Sequence, residues 1–192
     1  SAPRWFACKK KQMQTCCVNS KIPALRFAHK PESREEDMKL IDAHTHVFEY
    51  IAGYGTRGEL RGIGNGKARW ATGEEISMIP PGLGDRSFTP ETLVELLDAN
   101  NVEKAVLLQG SFYGFQNEYT YEAWRKYPDR FVAAATFDPF CKQAVTLLHR
   151  FLYDLKFPVV KFETSSGGGL MGYHNDFAID GSVFSEIFRE IA

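Results

Sequence analysis

The sequence predicts an α/β protein of the (β/α)8, TIM-barrel type, with about four βα units in this chain. Three observations predict it. From Met38 onward, short apolar runs alternate with amphipathic stretches, strand then helix, and such alternation implies a parallel sheet with helical crossovers. No Gly-x-Gly-x-x-Gly follows the first strand, which ends instead in Asp42-Ala43-His44-Thr45-His46, so a dinucleotide-binding fold lacks its main signature. The histidines gather at the carboxyl end of that strand, where barrels place their active sites.

Leu40 to Val47 is mostly apolar with polar residues at every second position, the pattern of a strand with one polar-lined face. The glycines and the Pro80-Pro81 pair between Tyr50 and Gly84 predict a long irregular loop. Thr89-Pro90 is a helix start, with Thr89 as cap and Pro90 at the first position. Leu93, Val94, Leu96 and Leu97 then form the apolar stripe, and Asn100-Asn101 ends it. Val102 to Gln109 is the second strand, and a helix from about Asn117 to Tyr127 stops at Pro128. Phe131 to Phe137 is the third strand, closed by Asp138-Pro139. A third helix is expected over about Lys142 to Leu155, a fourth strand over Pro158 to Glu163, and a fourth helix from Gly181-Ser182 onward. A complete barrel takes ~250 residues. Met38 to Ala192 suffices for the N-terminal half, so the chain reads as truncated, with the fourth strand lacking its next neighbour.

The composition belongs to an ordinary globular domain: 192 residues, 44% hydrophobic and 24% charged, with a formal charge of -1. That balance gives no cationic field for nucleic acid or an anionic membrane. The longest stretch without a charged residue, between Lys104 and Glu118, is too short and too often interrupted by Gly, Ser and Asn to span a bilayer. Residues 1–28 hold no continuous apolar segment of secretory type. Cys8, Cys16, Cys17 and Cys141 form no Cys-x-x-Cys pair, which fits a reducing compartment and a cytoplasmic location. Residues 1–37 carry eight basic and four acidic residues and show no apolar period. They read as a basic tail or leader, expected to be disordered, with a basic arm for an acidic partner as the alternative. The domain itself, 38–192, is expected to begin at Met38.

The chemistry concentrates at His44 and His46. In a strand the side-chain period is two, so Asp42, His44 and His46 share a face. Two imidazoles roughly 7 Å apart along one face can converge on one divalent cation when further ligands close the shell. By spacing alone the pair is equally read as two polar residues closing a strand; its place at the strand's carboxyl end, opening into a glycine-rich segment, favours the ligand reading.

Taken together these residues resemble a family. Met38-Lys-Leu-Ile-Asp-Ala-His-Thr-His46 is similar to the opening of the amidohydrolase superfamily. Val102 to Gln109, Tyr113-Gly114-x-x-Asn117-x-Tyr119, Tyr127-Pro-Asp-Arg-Phe131 and Asp138-Pro139 resemble its amidohydrolase-related branch. The resemblance covers Met38 to Ala192. It implies a metal-dependent (β/α)8 barrel in which His44 and His46 are the first two ligands of a divalent metal, zinc or alternatively manganese. It also implies that a further histidine ligand and an aspartate serving as general base fall beyond Ala192; His174 is a poor substitute. The implied activity is hydrolysis of a small carboxylate, lactone or amide by a metal-activated water, with a decarboxylase (lyase) of the same family as the alternative. Lys161 and Glu163, on one face near the end of the fourth strand, are candidate substrate-binding residues, or equally a pair that satisfies itself. Asp138 is a further candidate carboxylate, though Asp-Pro is first a turn. The partner expected is a small-molecule substrate, with a homo-oligomer left open. A metal-dependent deoxyribonuclease barrel also opens on His-x-His, but the nearly neutral segment from Val47 to Ser87 does not favour phosphate handling. A non-catalytic barrel fragment is the remaining alternative.

Overall fold

The computed structural model describes residues 39–164 and 169–192; the expected tail, residues 1–37, and the expected start at Met38 lie outside the described residues. Four parallel strands form one sheet in the order β1 (Leu40–Thr45), β6 (Val102–Leu108), β7 (Phe131–Thr136), β8 (Val159–Lys161). Each strand pairs with the next parallel strand along the chain, the order of a barrel wall rather than of a doubly wound sheet, where the order reverses. The crossovers are α1 (Pro90–Ala99), α2 (Asn117–Lys126) and α3 (Ala144–His149), and α4 (Ser182–Ile191) follows β8. The fold is α/β with a parallel half-barrel sheet, as the alternation predicts.

The helix boundaries follow from local chemistry. Thr89 caps α1 by accepting a hydrogen bond from the Thr92 amide at 3.3 Å, and Pro90 opens the helix. Leu93 and Leu97 are its buried stripe. At its other end the Asn100 side chain donates to the Leu96 carbonyl, and Asn101 turns left-handed with φ 54°. The third crossover departs from the expected single helix over Lys142 to Leu155: the α-helical part is Ala144–His149, and Arg150–Asp154 continues as a π-helical turn. The fourth strand is also shorter than expected, Val159–Lys161, so Glu163 lies beyond its end. β1 likewise stops at Thr45 rather than Val47.

The principal correction concerns the segment expected to be an irregular loop. It folds as a four-stranded antiparallel meander, β2 (Ala52–Gly55), β3 (Gly58–Gly64), β4 (Lys67–Trp70) and β5 (Glu75–Ser77). The glycines do not break these strands; several make their corners. Asn65 and Gly66 both have positive φ, 53° and 68°, the two-residue turn that matches strand twist in a hairpin. Alternation is present once the corners are placed: Leu60, Ala68 and Trp70 point inward, whereas Arg61 and Arg69 point to solvent.

The helices and sheet enclose a core containing Leu93, Leu97, Leu107, Phe131, Leu148 and Ile187. Burying one such Leu or Phe side chain contributes roughly 1.5–3 kcal/mol. β7 is packed on both faces, and its Ala133-Ala134-Ala135 run is fully buried, which keeps the centre of the sheet thin. The meander closes a second core of Phe48, Ile51, Leu60, Ala68, Trp70 and Ile79. β1 is an edge of the parallel sheet, and its Leu40 and Ile41 are 46% and 61% exposed. Among the described residues no helix is long and apolar enough to cross a membrane.

Candidate functional site

Parallel order brings the carboxyl ends of β1, β6, β7 and β8 to one rim. His44 and His46 stand at the first of these ends. Pairing of β1 with β6 shifts register between Asp42 and Thr45, and Thr45 anchors the irregularity by donating its hydroxyl to the Val106 carbonyl at 3.1 Å. The shift falls within the stretch expected to run regularly through Asp42, His44 and His46. Asp42 turns its carboxylate to the His44 backbone amide, 3.0 Å away. The two imidazoles meet edge to face, with ring centroids 5.0 Å apart, closer than an undistorted strand would set them.

His44 is exposed and His46 half-buried. The His46 ring packs on Tyr113 with centroids 4.8 Å apart, and its Nδ1 is buried without a hydrogen-bond partner among the described residues. Burial, reinforced by the charges of Lys161 and His44, lowers the His46 pKa to about 4, so this imidazole is neutral at neutral pH. A neutral ring retains the lone pair that metal binding requires.

Lys161 is the last residue of β8, and burial lowers its pKa while Glu163 opposes that shift. The Glu163 carboxylate lies over Gly110: a Cβ at Gly110 would stand 2.1 Å from Glu163 Oε2 and 3.4 Å from Lys161 Nζ. Burial and the Glu163 charge raise the Tyr113 pKa, so its phenol keeps its proton. His44, His46, Lys161 and Glu163 thus gather at one rim, joined by Gly110 and Tyr113, to which sequence reasoning gave no role. Tyr113 and its glycine-flanked turn were visible as a motif, but nothing local shows that the ring reaches His46.

His174 goes elsewhere. Its Nε2 sits 2.9 and 2.8 Å from the two carboxylate oxygens of Asp138, to which Tyr173 also donates at 3.3 Å. Asp138 closes its own turn as well, accepting from the Phe140 amide at 2.9 Å. The loop after β8 is therefore pinned to the end of β7 by this pair. Among the described residues no group of three or more His, Cys, Asp or Glu side chains is set to hold a metal.

The family model described as Amidohydrolase matches residues 41–172. No curated protein matches the chain. Among solved structures the chain is similar to a probable 2-pyrone-4,6-dicarboxylic acid hydrolase from Acinetobacter baumannii with citric acid bound, at 21% identity and a TM-score of 0.48. That match covers 80% of this chain and 46% of the other, so the chain spans less than half of that protein. A family model that spans residues 41–172, more than half of the chain, places it in the amidohydrolase family.

Proposed function

We propose that this chain carries the first-strand part of a metal-dependent hydrolase site that acts on a small carboxylate, lactone or amide. The observation that carries the reading is the His44–His46 pair, two imidazoles 5.0 Å apart at the sheet's carboxyl rim, one of them kept neutral by burial. The donor set suits a divalent cation, zinc or alternatively manganese: imidazole nitrogens are ligands of both. Bound there, the ion supplies Lewis acidity, polarising a carbonyl and lowering the pKa of water from ~15.7 towards ~7.

The chain's own groups then orient the substrate. Lys161 presents an ammonium beside His46, half-sheltered from water, and an anionic substrate group can take the place of its Glu163 neighbour. Tyr113 keeps its phenolic proton and offers a donor at the same rim. A cation at Lys161 favours substrates that bear a carboxylate, which also supports the decarboxylase of the same family as the second reading; release of carbon dioxide rather than uptake of water separates the two.

The test is zinc titration of the wild-type chain beside His44→Ala and His46→Ala, with circular dichroism to follow the fold. Changes in a metal's outer shell cost ~10- to 100-fold in affinity, so loss of a direct ligand costs at least that, with the fold retained. Unchanged zinc binding in both variants refutes the reading.

A further inference from the structure

Gln109, the residue after β6, is fully buried, and one half of its side chain amide is accounted for. Its Nε2 donates to the Val47 carbonyl at 2.8 Å. A carbonyl only accepts, so this bond fixes which end of the amide is which and turns Oε1 the other way. Oε1 has no partner. A buried acceptor left unmet costs ~1–3 kcal/mol. Among the described residues the other buried side-chain atoms without a partner are Thr136 Oγ1 and His46 Nδ1, and the Gln109 side chain lies beside the His46 ring. The needs of Oε1 and Nδ1 are complementary. Oε1 can only accept, and Nδ1 becomes a donor in one of the two neutral tautomers of histidine.

We propose that Gln109 is the positioning residue of the His44–His46 pair: its Oε1 accepts a hydrogen bond from the Nδ1–H of His46, fixing the tautomer in which Nε2 carries the lone pair. Gln109 then grips two consecutive residues, the backbone of Val47 with one end and the ring of His46 with the other. Through them it sets both the height of the ring above the rim and the nitrogen offered to a ligand. Metal-bound histidines are commonly oriented in this way by an acceptor on their second nitrogen. The inference rests on the metal-site reading for its purpose but not for its geometry. The Leu108 carbonyl, which also lies beside the ring, is the rival acceptor.

The test uses the metal-free chain with 15N-labelled histidine, in which long-range proton–nitrogen correlations read the tautomer of His46 directly. The Nδ1–H form is expected. Gln109→Leu removes the acceptor, should raise the Nε2–H fraction, and should weaken zinc binding ~10- to 100-fold. Gln109→Glu retains an acceptor for Nδ1 while losing the donor to Val47, so it should restore the Nδ1–H form even where stability falls. A merely structural role moves stability in both variants and the tautomer in neither. An Nε2–H form in the wild type overturns the inference, as does a folded Gln109→Leu that keeps Nδ1–H, which assigns the role to Leu108. Should the variants fail to fold, the wild-type tautomer decides. A wild type that shows Nδ1–H yet binds no zinc sinks the metal reading and leaves the clamp in place.

Discussion

Replacing Gly110 by alanine puts one methyl group where the Glu163 carboxylate lies. The new Cβ would stand 2.1 Å from Oε2, 3.2 Å from Cδ and 3.4 Å from Lys161 Nζ. Gly110 is not among the positive-φ glycines, so alanine adopts its backbone conformation without strain, and the obstacle is the end of a flexible side chain. To restore contact at 3.4 Å the oxygen must retreat by about 1.3 Å. Displacing a side chain from its rotamer costs ~0.5–1.5 kcal/mol, so urea unfolding should show a stability loss within that range. Function should suffer more, because a 1 Å misplacement near the reacting centre costs ~100-fold in rate. The assay is turnover of a panel of lactones, amides and unsaturated carboxylates by the full natural chain, beside equilibrium unfolding. In a Glu163→Ala background the same Gly110→Ala change should become nearly neutral for stability, since its steric partner is gone. A loss above ~3 kcal/mol, or a loss undiminished in the Glu163→Ala background, would refute the reasoning by placing the clash in the backbone.

Three further outcomes follow from the structure. Leu60→Ala, at a fully buried position of the meander core, should cost ~2–5 kcal/mol in urea unfolding, in contrast to the small cost at Gly110. Glu91, held by the Lys126 ammonium at 2.5 Å, has its pKa lowered to about 2; its stabilising effect is complete above the unfolded value near 4.5 and is lost as pH falls from there towards 2. Glu91→Gln should therefore flatten that part of the acid unfolding profile and lower stability at pH 7 by the same amount, a small one because the pair is exposed. Asp138→Asn should loosen the loop bearing Leu170 and His174, read as faster exchange of their amides, while zinc affinity at His44 and His46 stays within about threefold; a larger fall would join the two clusters into one site.

The parallel half-barrel was legible because each of its signals is local: a Thr-Pro helix start, apolar strand runs, and an Asn pair that stops α1. The meander was not, because short strands with glycine at their corners carry too little alternation to outweigh the glycine count, and the core that organises them is assembled from Phe48, Phe112 and Tyr113, distant in sequence. The histidine pair was legible from its spacing, but its geometry was not: the register shift before Thr45 depends on pairing with β6. Gly110, Tyr113 and Gln109 escaped for the same reason. Their roles consist of what lies opposite them, and Glu163, His46 and Val47 are all more than fifty positions away or across a strand pair.

The cores of the parallel sheet and of the meander, two of the three among the described residues, are packed by different residues, with Phe88 the one partly buried side chain common to both. Elements that share so little apolar contact open as separate cooperative units, each with its own free energy of exposure. The rim lies at their junction. β2 accepts its alignment from the loop after β6, where the Ala52 and Tyr54 amides donate to the Tyr113 and Ser111 carbonyls, and Tyr113 packs with the meander core while its ring rests on His46. The persistence of His46 in its place is therefore governed by whichever unit opens more readily, so hydrogen exchange in the meander, not in the parallel sheet alone, sets how long the site stays assembled.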